Sequence, residues 1–482
     1  MENHMENYTH RKVSFDHCSC GVFEDSNSFR DLEIQSDNVQ SDVEFDSLKA
    51  EARMVLKLRL FLFQCIGTEP HLCYYENVRM IEIDDHFSLL SDDQINLKSF
   101  DKYESEISYQ FFFTNHLQTN KPCVFGSWLT EKWPVTNLWV DDSGTPNCSY
   151  LSDSFGDSLV PISNCDSKYF NSQVKETLTL REYTNYYCQK QKGLKEECLY
   201  LKDWHFVRDF PNYKAYTTPA YFASDWLNEF WSLRGDQVDD YRFVYIGPKG
   251  SWTPFHADVF RSFSWSSNIC GRKRWLFFPP SESDFLKDKY GEYVYDVNSQ
   301  SLKDVSLYPN AHLSEGGIEI IQERGETVFV PSNWFHQVWN LEDTISINHN
   351  WINGTNIEFV IDFIISTLKE VEESIKEFSE TEGWVSQCQL ILKSVAGMDA
   401  KELFKFLKVI AQRRINFMEG NTSESSFREW KMGRNHVIYD IKKLITCFDR
   451  YFREFSPEIL EIVEKSDEEN LYIIMEKLKS YV

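Results

Sequence analysis

The spacing of apolar and polar positions along this chain changes character twice. Between about residues 175 and 355, short runs of β-branched and aromatic residues are separated by turn formers. Cys198-Leu-Tyr-Leu201, Tyr241-Arg-Phe-Val-Tyr-Ile246, Lys273-Arg-Trp-Leu-Phe-Phe278, Thr327-Val-Phe-Val330 and Thr344-Ile-Ser-Ile-Asn348 are such runs. Gly247-Pro248, Pro279-Pro280 and Pro331-Ser-Asn333 mark turns between them. Many short strands at this spacing predict a β-sandwich or jelly roll. One helix is predicted inside the strand region, over 219–233. After about residue 356 the period becomes helical. Phe359, Ile361, Phe363, Ile364 and Leu368 form one apolar stripe, and others run through 403–417, 436–452 and 459–478. Upstream, Lys121-Pro-Cys-Val-Phe-Gly-Ser-Trp128 predicts a buried strand entering a turn. The stretch 141–166, rich in Asp, Ser, Gly and Pro, predicts a surface loop. Residues 49–67 are helix-like. The resulting division is a disordered acidic tail over 1–48, an N-terminal α/β extension over 49–174, a mainly β core over 175–355, and an α-helical C-terminal region over 356–482.

Composition and charge narrow the function classes. Of the 482 residues, 42% are hydrophobic and 16% aromatic, enough for a large core. The formal charge of −25 repels polyphosphate, so direct nucleic-acid binding is not expected. The N-terminal MENHMENYTH lacks the layout of a signal peptide. The most apolar early stretch, 54–67, is interrupted by Lys57 and Arg59 and is too short to span a bilayer. A soluble cytoplasmic protein with no membrane partner is expected.

One segment carries metal chemistry. In Ser251-Trp-Thr-Pro-Phe-His-Ala-Asp-Val-Phe260, His256 and Asp258 lie two apart and share a strand face. An imidazole and a carboxylate side by side are two thirds of the facial triad that suits iron(II), because three protein ligands leave positions open for cosubstrate and dioxygen. The third ligand is expected from a second strand. Gly325-Glu-Thr-Val-Phe-Val-Pro-Ser-Asn-Trp-Phe-His336 supplies His336; His312 and His349 are the rivals. Lys273 opens an otherwise apolar strand, where a buried ammonium calls for an anionic partner such as a dicarboxylate.

These strings resemble the JmjC hydroxylases: His256-x-Asp258, then Gly271-Arg-Lys-Arg-Trp-Leu-Phe-Phe-Pro-Pro280, then Val330-Pro-Ser-Asn-Trp-Phe-His-Gln-Val338. The longer run from Tyr241 to Trp265 is similar to the branch that hydroxylates a lysine of the translation release factor. The resemblance implies a cupin-like double-stranded β-helix, iron(II), 2-oxoglutarate and dioxygen, with metal ligands His256, Asp258 and His336. It implies that Lys273, Thr253 and Tyr200 meet the far carboxylate of 2-oxoglutarate, with Asn348 and Asn350 near the cosubstrate. It further implies C-4 lysyl hydroxylation of the release factor in support of translation termination, and a homodimer through the C-terminal helices. A histone lysine demethylase and an inactive protein-binding scaffold are the alternatives.

Overall fold

The computed structural model describes residues 79–84, 99–233, 240–421, 430–464 and 471–482. The tail over 1–48, the helix-like stretch 49–67 and the boundary between tail and extension therefore lie outside the described residues. From Met80 onward the described residues fall in one compact unit.

The predicted jelly roll is present. Its strands are β1 (Asp101–Tyr103), β2 (Cys123–Phe125), β3 (Leu159–Tyr169), β4 (Ser172–Thr179), β5 (Leu199–Trp204), β6 (Arg242–Gly247) and β7 (Trp252–His256). They continue with β8 (Phe263–Cys270), β9 (Lys273–Phe278), β10 (Ile318–Gln322), β11 (Thr327–Val330), β12 (Phe335–Asn340) and β13 (Thr344–Trp351). Among the described residues nine strands form one sheet in the order β1-β2-β11-β8-β13-β6-β5-β3-β4. A second sheet has the order β10-β9-β12-β7. Consecutive strands β8 and β9 sit in different sheets, so the chain crosses between layers at Gly271. That residue has φ 71°, and a Cβ there would stand 2.1 Å from the Asp343 carbonyl oxygen. Only glycine fits so tight a crossing.

The stretch 141–166 is not a loop. Residues Cys148–Phe155 form a helix capped by Asn147, and β3 begins at Leu159. Leu151 and Phe155, four apart, are buried on that helix, and Val160 and Ile162 alternate inward on β3. The polar residues that suggested a loop occupy the solvent side of two short amphipathic elements. β1, β2 and β3 extend the sheet with strands from upstream of residue 175, and position 175 falls within β4.

The helical C-terminal region forms as its stripes predict. The helix predicted over 219–233 is a 3₁₀ turn, Ala220–Phe222, followed by α1 (Trp226–Ser232); a longer helix, Leu180–Gln191, lies between β4 and β5. After the last barrel strand come α2 (Ile357–Ser374), α3 (Trp384–Ala396), α4 (Ala400–Met418) and α5 (Arg434–Glu454). Two further helices, Pro457–Glu464 and Leu471–Lys479, close the chain. Trp226, Leu227 and Phe230 of α1 join Ile361, Ile364, Leu407, Ile410, Ile441 and Leu444 in one apolar cluster. Each such fully buried side chain contributes roughly 1.5–3 kcal/mol. The same helix carries Glu229, so the cap is tied to the barrel by charge as well. No described helix is long and apolar enough to cross a membrane.

Candidate active site

His256 ends β7, and His336 is the second residue of β12. The two are direct partners across the antiparallel ladder between these strands. Their ring centroids lie 4.4 Å apart. Asp258 follows two residues later, at the start of a short 3₁₀ turn. Ligand atoms of His256, Asp258 and His336 all lie within 4.8 Å of one another. His312 sits in an exposed turn. His349 is buried on the other side of β13, with its ring 4.1 Å from that of Trp265 and its Nε2 against the Tyr216 hydroxyl. Neither rival reaches the cluster.

The surroundings prepare these side chains for a metal. His256 Nδ1 is 2.8 Å from the Pro254 carbonyl, and His336 Nδ1 is 3.0 Å from the Trp334 carbonyl. A carbonyl only accepts, so each Nδ1 carries the proton and each Nε2 lone pair is free. The Ser264 hydroxyl donates to Asp258 Oδ2 at 2.6 Å and orients the carboxylate. Dehydration inside the barrel and the nearby His336 push the His256 imidazole down to about 4, against the pull of Asp258; the Lys202 charge adds to the depression. His256 is therefore neutral at physiological pH, the form that ligates. The ring of His336 is backed by Trp275 and Phe277 at 5.5 and 5.4 Å.

Lys273 opens β9 and faces the interior with Trp275 and Phe277, as the alternation predicts. Its Nζ donates to Ser346 Oγ at 2.9 Å and to the Tyr200 hydroxyl at 3.4 Å. No carboxylate pairs with it among the described residues, and burial pushes the amine down to about 7. Asn348 donates to Ser346 Oγ at 3.2 Å and so adjoins this polar end. Asn350 is turned elsewhere: its amide donates to Ser262 Oγ on the loop after Asp258.

Thr253 reaches the site by a route that simple alternation forbids. It lies three residues before His256, an odd spacing that puts it on the opposite face of a regular strand. The register of β7 against β12 slips in between: His256 pairs with His336, but Thr253 pairs with Val338. Three steps on β7 match two on β12. This bulge returns Thr253 to the side of His336. A second slip lies in β5, where Leu201 pairs with Ile246 and Trp204 with Val244. Asp203 there has φ 63°, a left-handed backbone rare for a non-glycine residue. Lys202 and Asp203 are brought in this way to the side of Tyr245 on β6, whose hydroxyl donates to Asp203. Neither Lys202 nor Asp203 stood out in the sequence, because pairing with β6 decides their face. Ser264 and Ser346 were hidden as ordinary strand serines.

A jelly roll with a His-x-Asp…His cluster at one end of its interior and a buried lysine at the other defines an oxygenase of the JmjC class. A family model described as "JmjC domain, hydroxylase" matches residues 243–351. The 2-oxoglutarate and iron-dependent oxygenase JMJD4 of Gallus gallus is 49% identical over 356 residues, 72% of this chain and 83% of the relative. That of Homo sapiens is 49% identical over 341 residues, 70% and 81% of the two chains. An arginine-specific demethylase, JMJ20 of Arabidopsis thaliana, is 42% identical over 317 residues, 63% and 68%. The chain belongs to the JMJD4 family of 2-oxoglutarate and iron-dependent oxygenases.

Proposed function

We propose that this chain is a protein lysyl hydroxylase. In this reading His256, Asp258 and His336 hold iron(II), and Lys273, Tyr200 and Thr253 receive the far carboxylate of 2-oxoglutarate. Asn348 lies beside the cosubstrate through Ser346, and Asn350 braces the loop after Asp258. The carrying observation is the pair of complementary ends: a carbonyl-oriented two-imidazole, one-carboxylate cluster, and a buried ammonium without a counter-ion among the described residues. A dicarboxylate that chelates iron at one end and meets an ammonium at the other satisfies both. When bound, the iron supplies the oxidation that couples decarboxylation of 2-oxoglutarate to insertion of one dioxygen atom into a C–H bond. The protein's own part is positioning. The Pro254 and Trp334 carbonyls fix the imidazoles, Ser264 fixes Asp258, and Trp275 and Phe277 pack beside the His336 ring.

The substrate proposed is a lysine of the eukaryotic release factor, hydroxylated at C-4 in the Asn-Ile-Lys-Ser loop, in the cytoplasm and in support of translation termination. The resemblance of the Tyr241–Trp265 string to the release-factor branch of the family supports it, as does the acidic charge of the chain toward a basic side chain. Recombinant release factor is incubated with enzyme, iron(II), ascorbate and 2-oxoglutarate, and its peptides are weighed. A gain of one oxygen atom on the loop lysine is the expected result. Loss of a methylene from a methylated arginine or lysine would instead favour a demethylase, the activity printed for the JMJ20 relative.

Lys273 gives a separate test. Lys273→Met removes the ammonium, and the KM for 2-oxoglutarate is expected to rise about a hundredfold, with the kcat reduced much less. The wild type should also show a pH dependence. The free amine titrates at about 7. Below that value it is already charged and the cosubstrate binds fully. Above it, binding must take up a proton, so the KM rises with pH, approaching tenfold per unit. A KM flat from pH 7 to 9 would remove Lys273 from the cosubstrate pocket.

A further inference from the structure

Lys202 is a buried cation that neither the metal cluster nor the cosubstrate end uses. It is 7% exposed. The slip in β5 sets Lys202 and Asp203 together opposite Tyr245, while Leu201 and Trp204 keep to the apolar layer on the other face. Lys202 thus points inward with Tyr200, its ammonium 5.7 Å from the centre of the Tyr200 ring. The bulge is strained at Asp203, with φ 63°. Strain of this kind costs on the order of 1–3 kcal/mol and collects where a side chain must be aimed for a purpose.

The polar wiring leaves part of this ammonium unused. Lys202 Nζ donates to Gln173 Oε1 at 2.9 Å. Gln173 in turn donates its Nε2 to the Trp252 carbonyl at 3.0 Å. That second bond fixes the amide, so its oxygen must face the lysine. Trp252 precedes Thr253 on the strand that ends in His256, so the ammonium is moored to the metal strand. The neighbouring carboxylate is engaged elsewhere: Asp203 accepts from the Tyr245 hydroxyl at 2.8 Å and lies 3.4 Å from Lys175 Nζ. An ammonium has three donors, and among the described residues one acceptor meets this one. Burial pushes the amine down to about 8; Asp203 and Cys165 pull it up and Lys175 pushes it further down. A buried cation with one of three donors met is a burden on folding, so its place in the chamber calls for a ligand that completes it.

We propose that Lys202 anchors the polypeptide substrate, donating a hydrogen bond to a main-chain carbonyl oxygen next to the residue that is oxidised. This rests on the protein-hydroxylase reading above and names a recognition residue within it. The acceptor follows from charge. An ammonium beside the chamber repels a second ammonium, so it meets the neutral oxygens that flank a target lysine and not the tip of the lysine itself. The 2-oxoglutarate carboxylates are already matched by Lys273 and the metal. Lys202 therefore sets the depth and direction in which the peptide enters.

Lys202→Met and Lys202→Gln are compared with the wild type on a release-factor loop peptide, with peptide KM, 2-oxoglutarate KM and melting temperature measured together. Lys202→Met is expected to raise the peptide KM about tenfold or more, the loss of one charge-assisted hydrogen bond. The KM for 2-oxoglutarate should stay within about twofold, and Tm should hold or rise, since a burial cost has been removed. Lys202→Gln keeps a donor and should recover part of the peptide affinity. An unchanged peptide KM overturns the assignment. So does an equal rise in both KM values, which would put Lys202 in the cosubstrate pocket, or a fall in Tm with KM values intact, which would make it structural. If the wild type itself leaves the loop lysine unmodified, the proposed substrate fails and the anchoring role falls with it. A hydroxylated product with an indifferent Lys202→Met sinks the anchoring role alone.

Discussion

Replacing Asp258 by Ala is expected to reduce 2-oxoglutarate turnover by more than about a thousandfold, equivalent to roughly 4 kcal/mol of lost transition-state stabilisation. Two imidazoles remain, but the anionic ligand that fills the third protein position is gone. The fold should survive. Asp258 is only partly buried, and its side chain holds one hydrogen bond, from Ser264. Succinate release and iron binding, measured beside a thermal melt, separate the two effects. Near-normal succinate release by a folded Asp258→Ala protein would refute the metal assignment. A protein that fails to fold would show that Asp258 is a structural element first.

The second large effect lies far from the metal. Arg414 on α4 is 1% exposed, and its guanidinium bonds Glu229 Oε2 at 2.9 Å, Glu229 Oε1 at 3.0 Å and Asp440 Oδ2 at 2.7 Å. Burial opposes its charge, but Glu229 and Asp440 outweigh burial and hold the guanidinium above its ordinary value. These three residues join α1, which is inserted between barrel strands, to α4 and α5 of the helical cap. Arg414→Leu leaves two buried carboxylates without their shared cation. The expected cost is about 3–5 kcal/mol, the usual penalty for breaking a buried pair by removing one partner. Glu229 keeps Arg413 and Asp440 keeps the Trp226 Nε1–H, which favours the lower end. The melting temperature should fall on the order of 10 °C. The triple change Arg414→Leu, Glu229→Leu, Asp440→Leu should recover most of the loss, because the two buried carboxylates are removed together with their shared cation, and Arg413, which loses Glu229, is partly exposed to water. A single variant as stable as the wild type would mean that the network is dispensable for the cap.

The two predictions differ in how far the chain alone could have led to them. His256 and Asp258 stand two apart, and His336 follows a strand and a tight turn; both statements are local, and the structure brings the three side chains together, although the strand ends at His256 and Asp258 lies on the turn beyond it. Lys273 could be placed inward because it begins a run that alternates cleanly. The helices α2, α4 and α5 form where their apolar stripes lie, since a stripe specifies both the helix and the face it must bury. The elements between 148 and 169 escaped because the eight-residue helix buries only Leu151 and Phe155, and the inward alternation of the strand is confined to its first half, so neither period stands out against Asp, Ser and Gly. Arg414 is a counterpart at the level of charge. On the chain it is one of several basic residues in a long helix, and only the packing of α1 and α5 against it makes it a buried hub.

The chain by itself determined the elements with a steady period, the three side chains that the structure gathers into the candidate metal cluster and the inward placement of Lys273, because those properties are written in neighbouring residues. Tertiary structure alone decided the two strand slips. They turn Thr253 to the side of His336 and set Lys202 and Asp203 opposite Tyr245. A slip is a mismatch between two strands, and the partner that defines it lies elsewhere in the chain. No period within one segment encodes it.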